Sequence, residues 1–436
     1  MQRTNLTPLW LILLLYAGLG SLFAVYTPDW QAPDEPAHYN YVRQLANGRL
    51  PVMAPGDYDQ DYIVEVVFES GFDPRYAIEP LSYEDWQPPL YYLLLTPVFW
   101  LTGGSLLALR LASLLLGAGV VALAYGAARQ LAPGRDWLAG GTAVFVALLP
   151  QHLSILAAVN NDALAELLIA AMLVLLLGID GWRTARDHRR ALLLGVLLGL
   201  GFLTKATVYP MAGVIGVALL LRYRRDWRDL LRVALWVSVP ALLLGALWWG
   251  RNAAVYGGLD VLGKAAHDAV VVGQPRTAAL VAEVGAAEAA RQFAQTTFRS
   301  FWGQFGWMTV PMLNPGWLYP LLGLFTAVAL LGLPLAWRQR LAAAGRGQTA
   351  VLLALVVFVA GVHLFYNLTY VQHQGRYLFP ALVPIGLGVA AGLGGWVWVV
   401  GGKRPWLLAL LPLGLALALA ALDLWALFRL LVPTLT

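Results

Sequence analysis

Residues 378–400 read LFPALVPIGLGVAAGLGGWVWVV, 23 positions without one charged side chain. An α-helix needs about 20 mostly apolar residues to cross the hydrocarbon layer of a bilayer, so this stretch has the length and chemistry of a membrane span. Working outward from it, comparable stretches lie near 8–26, 107–130, 136–157, 163–180, 190–203, 206–222, 231–249, 316–336, 349–367 and 405–431. The expected fold is an all-α polytopic membrane protein with about eleven transmembrane helices, forming a single domain over 1–436. Residues 89–101, which begin Pro89-Leu90-Tyr91-Tyr92, are apolar but only about 13 long, the length of an interfacial or re-entrant helix.

Composition agrees. Of the 436 residues 59% are hydrophobic and 12% charged, and the mean hydropathy is +0.66. Soluble domains carry roughly 25% charged residues, so soluble, disordered and nucleic-acid-binding classes are set aside. The absence of cysteine removes disulfides, thiolate nucleophiles and Cys-ligated zinc. Only 6 histidines remain as soft metal ligands.

Charge gives the expected orientation. With the N-terminus in the cytoplasm, the inward loops hold 17 of the 29 Lys and Arg residues, from Arg3 through Arg183 and Arg186, the run Arg222–Arg232 and Arg338–Arg346 to Lys403 and Arg404. Short cytoplasmic loops are enriched in this way in membrane proteins. The first apolar core, about 19 residues behind Arg3, is longer than a typical signal-peptide core and is expected to stay as a span.

Two long segments then face outward, 27–88 and 250–315. The first holds 12 of the 24 acidic residues. Neither is long enough for a large core of its own, so the two are expected to pack together as a cap on the bundle.

The densest chemistry is Pro33-Asp34-Glu35-Pro36-Ala37-His38-Tyr39, directly after the first span. Asp34 and Pro36 also read as a helix start, with an acidic N-cap and a first-turn proline. A carboxylate in that position stays ionised. The second element is Tyr83-Glu84-Asp85-Trp86-Gln87-Pro88-Pro89-Leu90-Tyr91-Tyr92, an acidic pair running into an aromatic interfacial helix. The third is a set of cations that break the inward bias: Lys205, Arg251 after Trp248-Trp249-Gly250, and Arg376 in Gln374-Gly375-Arg376-Tyr377. Each alone fits a snorkelling side chain, whereas three converging at one face would mark a site. Asn160, Asn161 and Asp162 sit at another outward end and read either as a turn with a cap or as ligands.

The order and sidedness of these motifs resemble the GT-C superfamily of multispanning glycosyltransferases, which includes protein O-mannosyltransferases and bacterial lipid A aminoarabinose transferases. The PDEPAHY opening, the Gln87-Pro88-Pro89-Leu90 segment, Trp248-Trp249-Gly250-Arg251-Asn252 and Gln374-Gly375-Arg376-Tyr377 together look most like a bacterial branch of that superfamily associated with polysaccharide genes. Gln87 stands where such relatives often have His or Lys.

The resemblance implies a sugar donor on polyprenyl phosphate, and geography agrees, because nucleotide sugars are cytoplasmic and the acidic loop faces outward. On this reading the protein lies in a bacterial inner membrane and transfers a sugar with inversion to an acceptor hydroxyl on a glycan, lipid or protein. Asp34 is the general base, and Glu35 orients the acceptor or the base. Lys205, Arg251 and Arg376 bind the departing phosphate. His38, Glu84, Asp85, Tyr91, Asn161, Asp162, Gln374 and Tyr377 complete the expected binding set. No metal site is expected for a monophosphate donor; a diphosphate donor would call on Mg²⁺ or Mn²⁺ held by Asp34, Glu35, Glu84 and Asp85. The alternatives are a flippase or transporter of lipid-linked sugars, a non-catalytic assembly subunit, and a glycan polymerase or ligase using diphosphate-linked donors.

Overall fold

The computed structural model describes residues 7–182, 188–341 and 344–435. Arg3, Arg183 and Arg186 of the expected inward set lie outside them. The first part of the chain runs α1 (Thr7–Tyr26), α2 (Glu35–Ala46), α3 (Gln60–Ile63), α4 (Leu90–Thr102), α5 (Leu106–Leu131), α6 (Asp136–Leu148), α7 (Pro150–Leu156), α8 (Asp162–Leu177) and α9 (His188–Phe202). It continues through α10 (Pro210–Tyr223), α11 (Trp227–Tyr256), α12 (Lys264–Val270), α13 (Thr277–Val284) and α14 (Ala286–Trp302). After a small antiparallel ribbon of β1 (Gln304–Phe305) and β2 (Val310–Pro311) come α15 (Leu318–Arg338), α16 (Arg346–Asn367), α17 (Leu382–Val400), α18 (Pro405–Trp425) and α19 (Val432–Leu435).

All eleven expected segments are helical, but they are not eleven equal spans. Among the described residues, 8 helices are long and apolar enough to cross a membrane. The segment expected at 136–157 is two helices, α6 and α7, bent by 64° at Leu149, and counts at most as a ninth span. Pro150 is the reason: without an N–H it cannot continue the helical ladder, and it restricts the residue before it to extended backbone. Helices α8 and α9, with 16 and 15 residues, fall short of a full crossing on their own. The short apolar segment expected at 89–101 is the 13-residue helix α4, Leu90–Thr102, with Pro89 at its N-cap.

Helix α6 is the axis of the bundle. Every residue from Leu138 to Leu148 is buried, against α5, α17 and α18. In lipid, helices associate through close packing more than through hydrophobic burial, and small residues allow the approach. Helices α15 and α17 show this: a Cβ on Gly392 would stand 1.9 Å from the Ala329 carbonyl oxygen.

The basic ends of the helices gather on one face. There the Gln348 side chain donates to the Leu177 carbonyl at 2.8 Å, and Arg222 donates to the Trp182 carbonyl at 2.9 Å. The opposite face carries the two long connections. Met53, Ile63, Val67, Leu81 and Tyr83 of the first share an apolar cluster with Val271, Tyr256 and Trp307 of the second. Met53 N–H donates to the Tyr256 hydroxyl at 3.1 Å, and Trp307 Nε1 to the Trp30 carbonyl at 3.1 Å. The two segments therefore form one cap.

Candidate functional site

Asp34 occupies the N-cap position of α2, but its side chain does not cap. Its φ of 66° is left-handed, a conformation that Asp tolerates better than most residues. The carboxylate instead turns away from the helix. Oδ1 accepts from the Tyr83 hydroxyl at 3.0 Å and Oδ2 from Arg376 Nη2 at 2.5 Å. Burial works to raise the Asp34 carboxyl, and the Arg376 charge together with the hydrogen bonds from Arg376 and Tyr83 outweighs it, holding the group below the usual carboxylate range.

Arg376 reaches Asp34 because its backbone is fixed at close quarters. Gly375 N–H donates to Ser300 Oγ on α14 at 2.7 Å, and a Cβ on Gly375 would lie 2.3 Å from both Thr297 O and Phe301 N. Only glycine fits there. The Arg376 side chain is 9% exposed, and its Nε and Nη1 are buried without a hydrogen-bond partner among the described residues. Two unsatisfied N–H directions on a buried guanidinium are costly and call for an acceptor.

A second pair lies beside the first. Lys205 Nζ donates to Asp162 Oδ1 at 2.6 Å, with 13% and 15% of the two side chains exposed. Lys205 sits at the α9–α10 bend, and Asp162 opens α8. Asp34, His38, Glu84, Asp162, Lys205 and Arg376 are near enough for their charges to act on one another. Burial, with Lys205 next, pushes His38 down to about 3, so its ring is neutral. His38 Nδ1 and the Tyr92 hydroxyl share a hydrogen bond of 2.9 Å, and Asn161 Nδ2 donates to the same hydroxyl at 3.2 Å. Glu84 is pushed up to about 8 by burial and by the Asp34 charge, and its Oε2 is buried without a partner among the described residues.

Other expected residues stand elsewhere. Glu35, adjacent to Asp34 in sequence, is fully buried and faces away. Its carboxylate accepts from Arg110 Nε at 2.8 Å, from Arg110 Nη2 at 2.5 Å and from Val159 N–H at 3.1 Å. Arg110 also donates to the carbonyls of Ala24, Thr27 and Pro28, at 2.9, 2.8 and 3.1 Å. With its acceptor capacity taken up in this way, Glu35 anchors the turn that carries Asp34 and is not free to orient a substrate. Asp85 accepts both N–H bonds of the Gln44 amide, at 3.0 and 2.7 Å, and burial pushes it up to about 7. The Tyr91 hydroxyl is taken by Ser113 at 2.6 Å.

Arg251 does not join the other two cations. Its guanidinium lies over the Trp248 ring at 4.6 Å and bonds Asn252 Oδ1 at 2.9 Å, the Tyr256 hydroxyl at 3.3 Å and the Pro51 carbonyl. It fastens the two halves of the cap. Gln374 donates to the Gln372 side chain at 3.0 Å, beside Arg376, and Tyr377 is held against the Arg376 guanidinium at 5.6 Å.

Sequence reasoning missed Tyr83, Tyr92 and Arg110 as members of this network. Arg110 had a signal, because a charged residue one turn inside a span needs a buried partner. The two tyrosines had none, since an aromatic belt accounts for them equally well.

Among the described residues no group of three or more His, Asp or Glu side chains is placed to hold a metal ion. The carboxylates of Asp34 and Asp162 each face a cation, Arg376 and Lys205 respectively.

The fold and the site define a polytopic helical membrane protein with a two-segment cap over buried, oppositely charged pairs. Residues 87–385 match the family described as "Predicted membrane protein (DUF2142)". The chain belongs to that family. The match includes Asp162, Lys205 and Arg376 and begins after Asp34 and Tyr83.

Among solved structures, ArnT from Cupriavidus metallidurans bound to undecaprenyl phosphate is similar over 98% of this chain and 73% of its own, with TM-score 0.54 and 14% identity. An oligosaccharyltransferase from Archaeoglobus fulgidus in complex with Zn and sulfate is similar over 94% of this chain and 52% of its own, with TM-score 0.54 and 14% identity. The undecaprenyl phosphate-alpha-4-amino-4-deoxy-L-arabinose arabinosyl transferase of Pseudomonas aeruginosa (strain UCBPP-PA14) is 27% identical over 356 residues, 71% of this chain. The alignment spans 62% of that relative's length.

Proposed function

We propose that this protein is a glycosyltransferase that moves a sugar from a polyprenyl-phosphate donor to an acceptor hydroxyl at the extracytoplasmic face of a bacterial inner membrane. The observation that carries the reading is the Asp34–Arg376 pair, in which the guanidinium keeps two buried N–H directions open. The basic face is then cytoplasmic, by the positive-inside rule. Similarity to proteins whose names include undecaprenyl phosphate supports the donor class.

In the reaction the acceptor O–H gives its proton to the Asp34 carboxylate while its oxygen attacks the anomeric carbon from the side opposite the phosphate. The bond from that carbon to the phosphate oxygen breaks, and its electron pair leaves with polyprenyl phosphate. The configuration inverts. Charge accumulates on the departing phosphate, and groups that bind it more tightly at that moment lower the barrier. Arg376 and Lys205 serve this purpose, and a planar guanidinium suits two phosphate oxygens at once.

The resting pair also accounts for how a carboxylate with a depressed pKa works as a base. Once Arg376 turns its N–H groups to the phosphate, Asp34 shares its counter-charge and becomes a stronger proton acceptor. Asn161, Tyr92 and His38 form a neutral wall beside the pairs that holds the site's shape without adding charge.

The test is binding of polyprenyl phosphate to the purified protein by native mass spectrometry, with and without EDTA. Retention that survives EDTA and is lost in Arg376→Ala supports the reading. Equal retention by wild type and Arg376→Ala would contradict it.

A further inference from the structure

The basic face carries a second concentration of chemistry that the transfer reaction does not use. A cavity of about 670 Å³ opens between α10, α16 and the chain leaving α8, lined by Asp180, Arg222, Arg224, Arg346 and Gly347 together with Leu221. Three guanidinium groups and one carboxylate give the cavity a net excess of positive charge. Arg346 and Gly347 are the first two residues of the 22-residue helix α16, whose leading N–H groups lack intrahelical acceptors and whose dipole adds positive potential. Arg222 is already oriented by its bond to the Trp182 carbonyl, and its Nε is buried without a partner among the described residues.

The cavity adjoins lipid-facing surface. Leu220 and Leu221 on α10 and Leu353 and Val357 on α16 are exposed apolar side chains on the two helices that form its walls. A soluble anion has no use for that surface, whereas a headgroup with acyl chains uses both parts. Basic pockets between spans at the cytoplasmic face hold anionic headgroups by this combination.

We propose that this cavity binds the phosphate headgroup of an anionic membrane lipid, with Arg222, Arg224 and Arg346 on the phosphate and the acyl chains against α10 and α16. A glycerol headgroup supplies hydroxyls that Asp180 can accept from, which favours phosphatidylglycerol over phosphatidylcholine. The site is separate from the Asp34 pair. Asp162 opens α8 at the candidate site, and the 16 residues of that helix put its far end about 24 Å away. The proposal does not depend on the transferase reading.

The test is native mass spectrometry of the full-length protein released from detergent containing phosphatidylglycerol or phosphatidylcholine. Wild type is expected to retain one phosphatidylglycerol and to hold phosphatidylcholine about tenfold less well. Arg222→Gln with Arg346→Gln should weaken phosphatidylglycerol retention by about tenfold or more, at roughly 1 kcal/mol per basic residue. Arg228→Gln, outside the lining, should leave it unchanged. Should the double variant fail to fold, Arg346→Gln alone, on an exposed helix start, carries the same comparison at smaller amplitude. Equal retention by wild type and the cavity variants would overturn the proposal. Displacement of the lipid by excess inorganic phosphate would overturn the lipid as the source of the anion, and resistance to it supports the lipid.

Discussion

Asp34 and Arg376 lie 342 positions apart and meet through Oδ2 and Nη2 at 2.5 Å. The contact joins the turn between α1 and α2 to the segment that leads into α17, so the site exists only when the whole bundle has assembled. On the proposed mechanism the pair is a resting state that donor phosphate opens. Arg376→Ala is expected to weaken polyprenyl phosphate binding by about ten- to a hundredfold, the worth of a charge-assisted hydrogen bond set. Arg376→Lys should recover only part of this, because an ammonium lacks the planar fork. Equilibrium binding of labelled lipid checks both.

Glu35 and Arg110 form the anchor beneath that pair. Both side chains are nearly inaccessible, at 0% and 2% exposed, and removing one partner strands a buried charge. Arg110→Ala is expected to cost about 3–5 kcal/mol. Thermal unfolding in detergent should show a large loss, and Glu35→Gln a smaller one because the amide still accepts one bond. Unchanged melting in Arg110→Ala would contradict the anchoring role.

Lys205 faces Asp162 at 2.6 Å in a partly open position. Lys205→Ala should lower donor affinity and turnover together while leaving the melting temperature within a few degrees. Steady-state kinetics over a range of donor concentrations measure this. An effect on stability alone would make the pair structural.

Glu84 gives a pH signature. Its folded-state pKa of about 8 lies above the ordinary carboxylate value, so the native state holds a proton that the unfolded chain has released. Its contribution to stability is full below pH ~4.5 and is lost as pH rises toward 8. Glu84→Gln, which stays neutral, should remove this decline, so that its melting temperature exceeds that of wild type at pH 8–9 but not at pH 5. His38 acts oppositely. Its pKa falls to about 3, so stability is full above pH ~6.5 and is lost as pH drops toward 3. Melting curves at several pH values separate the two.

The spans were legible because each is a local property: twenty apolar residues announce themselves without reference to the rest of the chain. The bend at Leu149 also had a local sign in Pro150, yet hydropathy runs through it undisturbed, and so 136–157 read as one span. The short α8 and α9 read as spans for the same reason. The site was legible as residue types in order and less so as partnerships. Asp34 and Glu35 read in sequence as two members of one site, base and orienting group, and only the fold sends one to Arg376 and the other to Arg110. Arg251 looked equivalent to Lys205 and Arg376 because all three break the charge bias; its stacking on Trp248 is local to α11, but its bond to Pro51, 200 positions away, is a long-range fact about the cap. Gly375 was legible only as part of the Gln374-Gly375-Arg376-Tyr377 motif, without the packing that requires it. Its necessity comes from the backbone of α14, some 75 residues earlier in the chain.

If Asp34 takes the acceptor's proton, turnover of Asp34→Asn with a polyprenyl-phosphate sugar, measured alongside its binding of polyprenyl phosphate, is the most direct measurement. Turnover is expected to fall by about 10²- to 10⁴-fold, in a folded protein that still binds the lipid. Turnover equal to wild type in a variant that binds the lipid normally would contradict the base role.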